Sequence, residues 1–300
     1  MNQAERMRIG NLMTVIGGIC WGFSGCCGQY LFQQRGATAE WLVALRLVGA
    51  GVLLIAAGFL VNGKRNVEIF KSGRDLVHLA VFALAGIMMA QYPYFAAIQY
   101  SNAGTATVLQ YMFPVLILIV VCVQGRRRPS GVELAAIALC LAGTFILGTH
   151  GNFRELTLTP KALFFGLLSA VGAVLYNMIP GTLMKRYGVC QVLGFGMLLA
   201  GIVMSAAVRP WQYEMVWDGG TILALGSVTV IGTAVAFGLY LGGVSIIGPF
   251  KGSLFASMEP LSAVVISFLW LKTAFTGMDV LGFALILGTV LMLTVYQSKA

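Results

Sequence analysis

"FALAGIMMAQYPYFAAIQYSNAGTATVLQYMFPV" (82–115) and "VTVIGTAVAFGLYLGGVSIIGPFKGSLFASMEPL" (228–261) align without a gap when the chain is slid against itself by 146 residues. Gly86 falls on Gly232, Ala90 on Ala236, Tyr94 on Tyr240, Thr107 on Ser253, Met112 on Met258 and Pro114 on Pro260. Most of the matched residues are small, proline or tyrosine, the types that fix close helix approach and kinks rather than bulk greasiness. Internal similarity at a long, fixed offset is the mark of a duplicated unit. The expected units are residues 1–150 and 151–300.

Composition says what kind of unit this is. Of the 300 residues, 59% are hydrophobic and 10% charged, against roughly 45–50% apolar in a soluble domain. Apolar stretches of about 20 residues, enough to cross a ~30 Å hydrocarbon core, recur along the whole length. Ten spans are expected near residues 9–32, 39–62, 76–98, 104–123, 131–149, 161–184, 189–208, 221–242, 252–271 and 278–296. The fold class is therefore an all-α polytopic membrane protein of ten transmembrane helices. The N-terminal run reads as a first retained span rather than a cleaved signal, because its apolar part continues to Phe32 with no small-residue cleavage site.

Charge gives the orientation. With the N-terminus placed in the cytoplasm, thirteen of the nineteen Lys and Arg residues fall in inner segments, among them Lys64, Arg65, Arg126, Arg127, Arg128, Lys185, Arg186 and Lys251. Basic inner loops are the rule for membrane proteins. Both termini are expected on the cytoplasmic side of the plasma membrane. The net charge of +9 is thus a topology signal, and no nucleic-acid partner is implied. Five spans per unit is an odd number, so the second unit enters the membrane from the opposite side. Two inverted five-helix repeats around a central cavity are the plan of secondary transporters working by alternating access, with the substrate near the midplane.

The residues that break the apolar rule mark the candidate cavity. Glu259 lies on the small-residue side of its helix with Gly252, Ala256 and Ala263, whereas Leu254, Met258, Leu261, Val265 and Phe268 cluster on the other side. An acid at this depth faces a bundle interior or a wet cavity and has a partner. It is either a substrate- or proton-carrying residue or a hydrogen-bonded strut between two helices. Pro260 removes an N–H and frees a carbonyl one turn earlier. Arg46 is the only cation deep in a span and the natural charge partner of Glu259, with snorkelling or helix capping as the alternatives. Lys251 stands just before Glu259 as a second candidate partner. Pro93, Pro114, Pro180 and Pro260 are the expected kinks within spans.

Trp21, Tyr94, Tyr111, Tyr176 and Tyr240 lie within spans, beside Gln91, Gln110, Asn177 and Ser253; ring faces mixed with uncharged hydrogen-bonding groups suit a small organic solute. Trp41, Trp211, Tyr213, Trp217, Trp270 and Tyr296 fall at span ends, as an interfacial belt would. Gly18, Gly22, Gly25 and Gly28 form a close-packing face on the first helix. The six cysteines have no accompanying histidines or carboxylates, so neither a metal nor a cofactor is expected.

Two other classes have a sequence handle. "GFSG" (22–25) resembles the serine motif of intramembrane proteases, but such chemistry requires a histidine base near Ser24, and only His78 and His150 exist. A receptor or scaffold would not need the duplication. No ATP-binding loop is present.

Taken with the repeats, "WGFSG" (21–25), "LRLVGAG" (45–51), "YFAAIQYSNAGTATVLQYMFPV" (94–115), "GLLSAVGAVLY" (166–176), "GTAVAFGLYLGGVSIIGPFKGSLFASMEPLSAV" (232–264) and "LGFALILGTVLML" (281–293) resemble the EamA-like family of the drug/metabolite transporter superfamily. The resemblance implies ATP-independent movement of a small-molecule metabolite, often export of amino acids or related compounds. It also implies protons as the candidate coupling ion and a monomer or homodimer in the bilayer. The chain departs from the family in two matched places: the glycine–glutamate that many members carry after the fourth and ninth spans is replaced by "QGRRRP" (124–129) and "LKTAF" (271–275).

Overall fold

Polar caps set where the helices begin. The computed structural model describes residues 3–151, 157–247 and 255–297. Helix α1 is Gln3–Gln34 and α2 Ala39–Asn62. Helix α3, Gly73–Tyr100, starts where Ser72 accepts from Asp75 N. Helix α4, Ala103–Gln124, starts where Asn102 accepts from Thr105 N at 2.8 Å. Helix α5, Gly131–Thr149, opens with a reciprocal box in which Ser130 and Glu133 each bond the other's backbone N–H. Thr159 caps α6, Pro160–Met178, and the ring of Pro160 sits in the first turn, where its missing N–H is harmless. Helix α7 is Val189–Val208, and α8, Gly219–Val244, is capped by Asp218. Helices α9, Met258–Trp270, and α10, Gly277–Gln297, complete the bundle.

The first eight are long and apolar enough to cross a membrane, and α9 and α10 provide two shorter apolar stretches among the described residues. The chain is thus an all-helical, multi-pass membrane protein. Leu261, Val265 and Phe268 stand outward from α9 while Ala263 and Ser267 are wholly buried, so the small face of that helix turns in and the bulky face turns to lipid.

The principal packings are α1 with α8 and α9, α2 with α7, α3 with α6, α4 with α9 and α6, and α5 with α10. Close approach of α1 to α9 depends on Gly22: a Cβ there would lie 2.6 Å from the Glu259 carbonyl oxygen and 2.8 Å from Ala263 N. The glycine face of α1 is therefore shared, with Gly18 and Gly22 on α9 and Gly25 and Gly28 on Tyr94 and Phe95 of α3. Both α3 and α8 contain a π-helical stretch, Phe82–Met88 and Ser227–Val235. These two stretches fall in the segments that align in the sequence, a feature that apolar run length gives no means of seeing.

The expected sixth span, 161–184, is shorter: α6 stops at Met178, and a separate short helix, Gly181–Tyr187, follows with Pro180 as its cap. A proline ring at 180 clashes with the carbonyl four residues earlier, so the helix restarts rather than bends. Pro114 likewise follows a turn at Tyr111–Met112 inside α4, and Pro260 occupies the first turn of α9. Of the four, Pro93 alone lies within a continuous α-helical segment. Trp41 is not in an interfacial belt: it is 1% exposed and packs on Trp217 with ring centroids 5.8 Å apart. Trp211, Trp217 and Trp270 are exposed as the belt requires.

Candidate functional site

A cavity of about 360 Å³ opens between the two halves of the chain. It is walled by Trp21, Tyr94, Gln110, Tyr111, Tyr176, Asn177, Tyr240 and Glu259, with Arg46 in the same lining. Ser253 and Lys251 lie outside the described residues. The volume is in the range of small-molecule sites, roughly 300–1,000 Å³.

The break at Pro260 positions the acid. Pro260 offers no N–H to the carbonyl of Ala256, four residues earlier. Tyr111 Oη, crossing from α4, donates to that carbonyl at 2.7 Å and lies 3.0 Å from Glu259 Oε2. A tyrosine hydroxyl has one proton, and here it faces two acceptors. Both contacts form together only when Glu259 carries a proton and donates it to Tyr111 Oη. The carboxyl is thus tied to the opposite half of the chain through a contact that counts protons. Phe113, the residue aligned with Glu259, also lines the cavity, and its ring meets Tyr111 edge-on at 5.7 Å.

Arg46 does not snorkel. It is 6% exposed, donates through Nη1 to Gln91 Oε1 at 2.7 Å, and lies over the Phe95 ring with its guanidinium carbon 5.0 Å from the centroid. Gln91 and Phe95, both on α3, hold the guanidinium in the bundle. No ion pair joins Arg46 to Glu259 among the described residues. The cavity therefore holds a cationic side chain from α2 and an acid from α9, each with a neutral hydrogen-bond partner and neither neutralised by the other.

The remaining walls are held by neutral bonds. Tyr94 Oη and Thr107 Oγ1 are 2.9 Å apart. Gln110 Nε2 donates to Ala90 O at 3.3 Å, and Asn177 Nδ2 to Ala173 O at 2.7 Å. Trp21 packs edge-on against Phe237 at 5.1 Å and against Tyr240 at 5.0 Å. Sequence reasoning missed Phe237, which aligns with Gln91 in the repeat, and treated Ser24 only as a nucleophile. The three-residue step from Trp21 to Ser24 on one helix was the available signal.

Ser24 Oγ has no hydrogen-bond partner among the described residues. His78 Nε2 is instead 2.9 Å from Ile179 O, and His150 Nε2 is 3.0 Å from Asp279 Oδ1. The serine–histidine pair that proteolysis would require is not formed.

The two ends of the cavity differ. At one end its lining reaches Pro180, Met184 and Val189, beside the short helix Gly181–Tyr187 that carries Lys185 and Arg186. At the other end, past Tyr94, a polar cluster ties the helices together. Gln29, 1% exposed, accepts from Ala103 N at 2.8 Å and donates to Thr273 Oγ1 at 2.9 Å, joining α1, α4 and the segment after α9. Outside it, Arg35 pairs with Asp218 at 3.0 Å. The backbone N–H of Thr221 holds the Asp218 carboxyl below the usual carboxylate range, with Arg35 adding to the effect.

A multi-pass helical bundle with an aromatic-walled cavity has the build of an integral membrane transporter, and similarity to known proteins gives that class. The sequence profile of the EamA-like transporter family matches residues 8–149 and again 160–295. The chain belongs to that family. Among similar proteins, one named uncharacterized inner membrane transporter YicL, from Salmonella typhimurium, is 36% identical, covering 96% of this chain and 95% of the relative. Uncharacterized transporter YetK of Bacillus subtilis is 24% identical, over 85% and 78%. A solved crystal structure at 17% identity superposes with a TM-score of 0.63, covering 99% of both chains, which shows a shared fold. Membership implies a small-molecule substrate and a place in the bilayer.

Proposed function

We propose that the protein is a secondary transporter that exports amino acids or related zwitterionic compounds across the cytoplasmic membrane by alternating access. The observation that carries this reading is the separated pair of Arg46 and Glu259 in one cavity. Burying charge at membrane depth is costly; Arg46 has only neutral partners there, and the Glu259 carboxyl is held by a hydroxyl rather than by the guanidinium. A solute with a carboxylate and an ammonium group gives each of them a partner: the planar guanidinium of Arg46 suits a carboxylate, and Glu259 suits an ammonium. The aromatic walls accept the rest of the solute.

The architecture in this reading is two inverted five-helix repeats, residues 1–150 and 151–300, with both termini cytoplasmic. The helix packings support it. Exchanging each helix for the one five places on turns α1–α8 into α6–α3 and leaves α2–α7, α4–α9 and α5–α10 unchanged, as a two-fold relation requires. The π-helical stretches in α3 and α8 obey the same exchange. With the short helix of Lys185 and Arg186 on the cytoplasmic side, the cavity faces inward and the Gln29 cluster is the closed outer seal. Proton coupling through Glu259 follows from the single Tyr111 proton: a solute ammonium arriving at Glu259 displaces the proton that completes the tie.

Purified protein reconstituted in liposomes, loaded with labelled amino acids and related compounds, tests the reading. Flux above that of empty vesicles for at least one zwitterion is expected. No flux across a broad panel rejects it.

A further inference from the structure

Ser24 is 2% exposed, lines the cavity, and leaves its Oγ without a partner among the described residues. The usual outlet for a hydroxyl in a transmembrane helix is the carbonyl three or four residues earlier. Thr14, Thr107, Thr144, Thr229, Thr289 and Ser169 all take it, at 2.7–2.9 Å. Ser24 does not. Thr221 and Thr233 are also buried and unpartnered, but neither lines the cavity.

The space around Ser24 is kept open by Gly232, in the π-helical stretch of α8. A Cβ at Gly232 would collide with Ser24 Oγ and Cβ, so only glycine lets the serine side chain stand beside α8. One turn before Ser24, Trp21 is packed on Phe237 and Tyr240, which fixes the face of α1 that looks into the cavity. An unmade hydrogen bond on a buried hydroxyl costs about 1–3 kcal/mol; the Oγ lies against Gly232 in the state described, and a change of χ1 rotamer turns it to a solute atom in the cavity that Ser24 lines.

Resting on the transport reading above, we propose that Ser24 is a specificity-determining residue. Its hydroxyl hydrogen-bonds an uncharged polar group, a hydroxyl or an amide, on the side chain of the solute that Arg46 and Glu259 hold by its charged ends. A site that hydrogen-bonds such a group rejects the analogue lacking it, because the site's own polar atom is then left unmade. The substrate class is therefore narrowed to polar, uncharged side chains, and Gly232 belongs to the same recognition element.

The full-length protein in liposomes tests this through counterflow of labelled pairs differing by one polar group: L-threonine with L-2-aminobutyrate, L-serine with L-alanine, L-tyrosine with L-phenylalanine. The readout is the rate ratio within a pair, which does not depend on the amount of active protein. Wild type is expected to favour the polar member of at least one pair by about tenfold, and Ser24→Ala to bring that ratio within about twofold of unity. Ser24→Gly, in a helix that already carries Gly22 and Gly25, serves as a second variant should Ser24→Ala fold poorly. Flux without preference in wild type, or a preference that survives both substitutions, overturns the proposal while leaving transport standing. No flux for any compound rejects the transport reading itself and this inference with it.

Discussion

Replacing Tyr111 by Phe removes one oxygen and keeps the ring against Phe113. The hydroxyl it removes is the donor to Ala256 O, 2.7 Å away, at the place where Pro260 withholds the helical one. It is also the neighbour of Glu259 Oε2 at 3.0 Å. Leaving one buried polar group without its partner costs about 1–3 kcal/mol. The Glu259 carboxyl can turn to another acceptor in the cavity whereas the Ala256 carbonyl cannot, so a single loss of that size is the expected total. The tie joins α4 to α9, so the structure described is weakened relative to its alternatives by roughly 5- to 150-fold in equilibrium constant. Thermal unfolding of the detergent-purified protein is the assay, and a drop of several degrees is expected. Glu259→Gln is the matched control: its amide donates to Tyr111 Oη and leaves the Tyr111 proton for Ala256, so both contacts persist and the midpoint stays near wild type. A Tyr111→Phe midpoint equal to wild type, or a Glu259→Gln midpoint lowered as far as that of Tyr111→Phe, would refute the reasoning.

Gly22→Ala forces a methyl group into the Glu259 carbonyl and Ala263 N; a destabilisation of about 1–3 kcal/mol from overpacking is expected, read as a lower folded yield and unfolding midpoint than for Gly219→Ala, where a Cβ meets nothing. Arg46→Lys is expected to lose most flux although it keeps the charge, because an ammonium cannot hold Gln91 and present a planar fork to a carboxylate at once; flux within twofold of wild type would contradict the assigned role. Asp218 has its carboxyl held below its ordinary range by Thr221 N–H and Arg35. Its contribution to stability is therefore present above the unfolded-state value and lost as pH falls through the depressed folded one. Melting curves of Asp218→Asn are expected to show less loss of stability on acidification than wild type.

The membrane class and the inward face of α9 were legible because they depend on averages: run length, and the side on which small residues fall. Glu259 stood out for the same reason, as an acid with no apolar excuse. Its tie to Tyr111 was not readable, since it depends on which helix crosses the Pro260 break, and a one-chain sequence carries no pairing between α4 and α9. For Arg46 the sequence left pairing with Glu259, snorkelling and helix capping all open, because depth along a span says how far a side chain must reach but not what holds it. In the fold Gln91 and Phe95 of α3 hold the guanidinium. The end of α6 was overrun because apolar character continues past Met178, whereas the proline ring at 180 stops the hydrogen-bond ladder regardless of hydropathy. The π-helical stretches leave no mark on composition, and the aligned glycines Gly86 and Gly232 are their nearest sequence trace.

Transport through a cavity that uses Glu259 as its acid is tested most directly by one comparison: flux of the same labelled amino acid by wild type and Glu259→Gln, in liposomes, across a series of pH values. The account predicts pH-dependent flux for wild type, and flux for Glu259→Gln that is reduced and flat with pH at an unchanged unfolding midpoint. Identical rates and pH profiles for the two proteins would contradict it and leave Glu259 as a strut between α4 and α9.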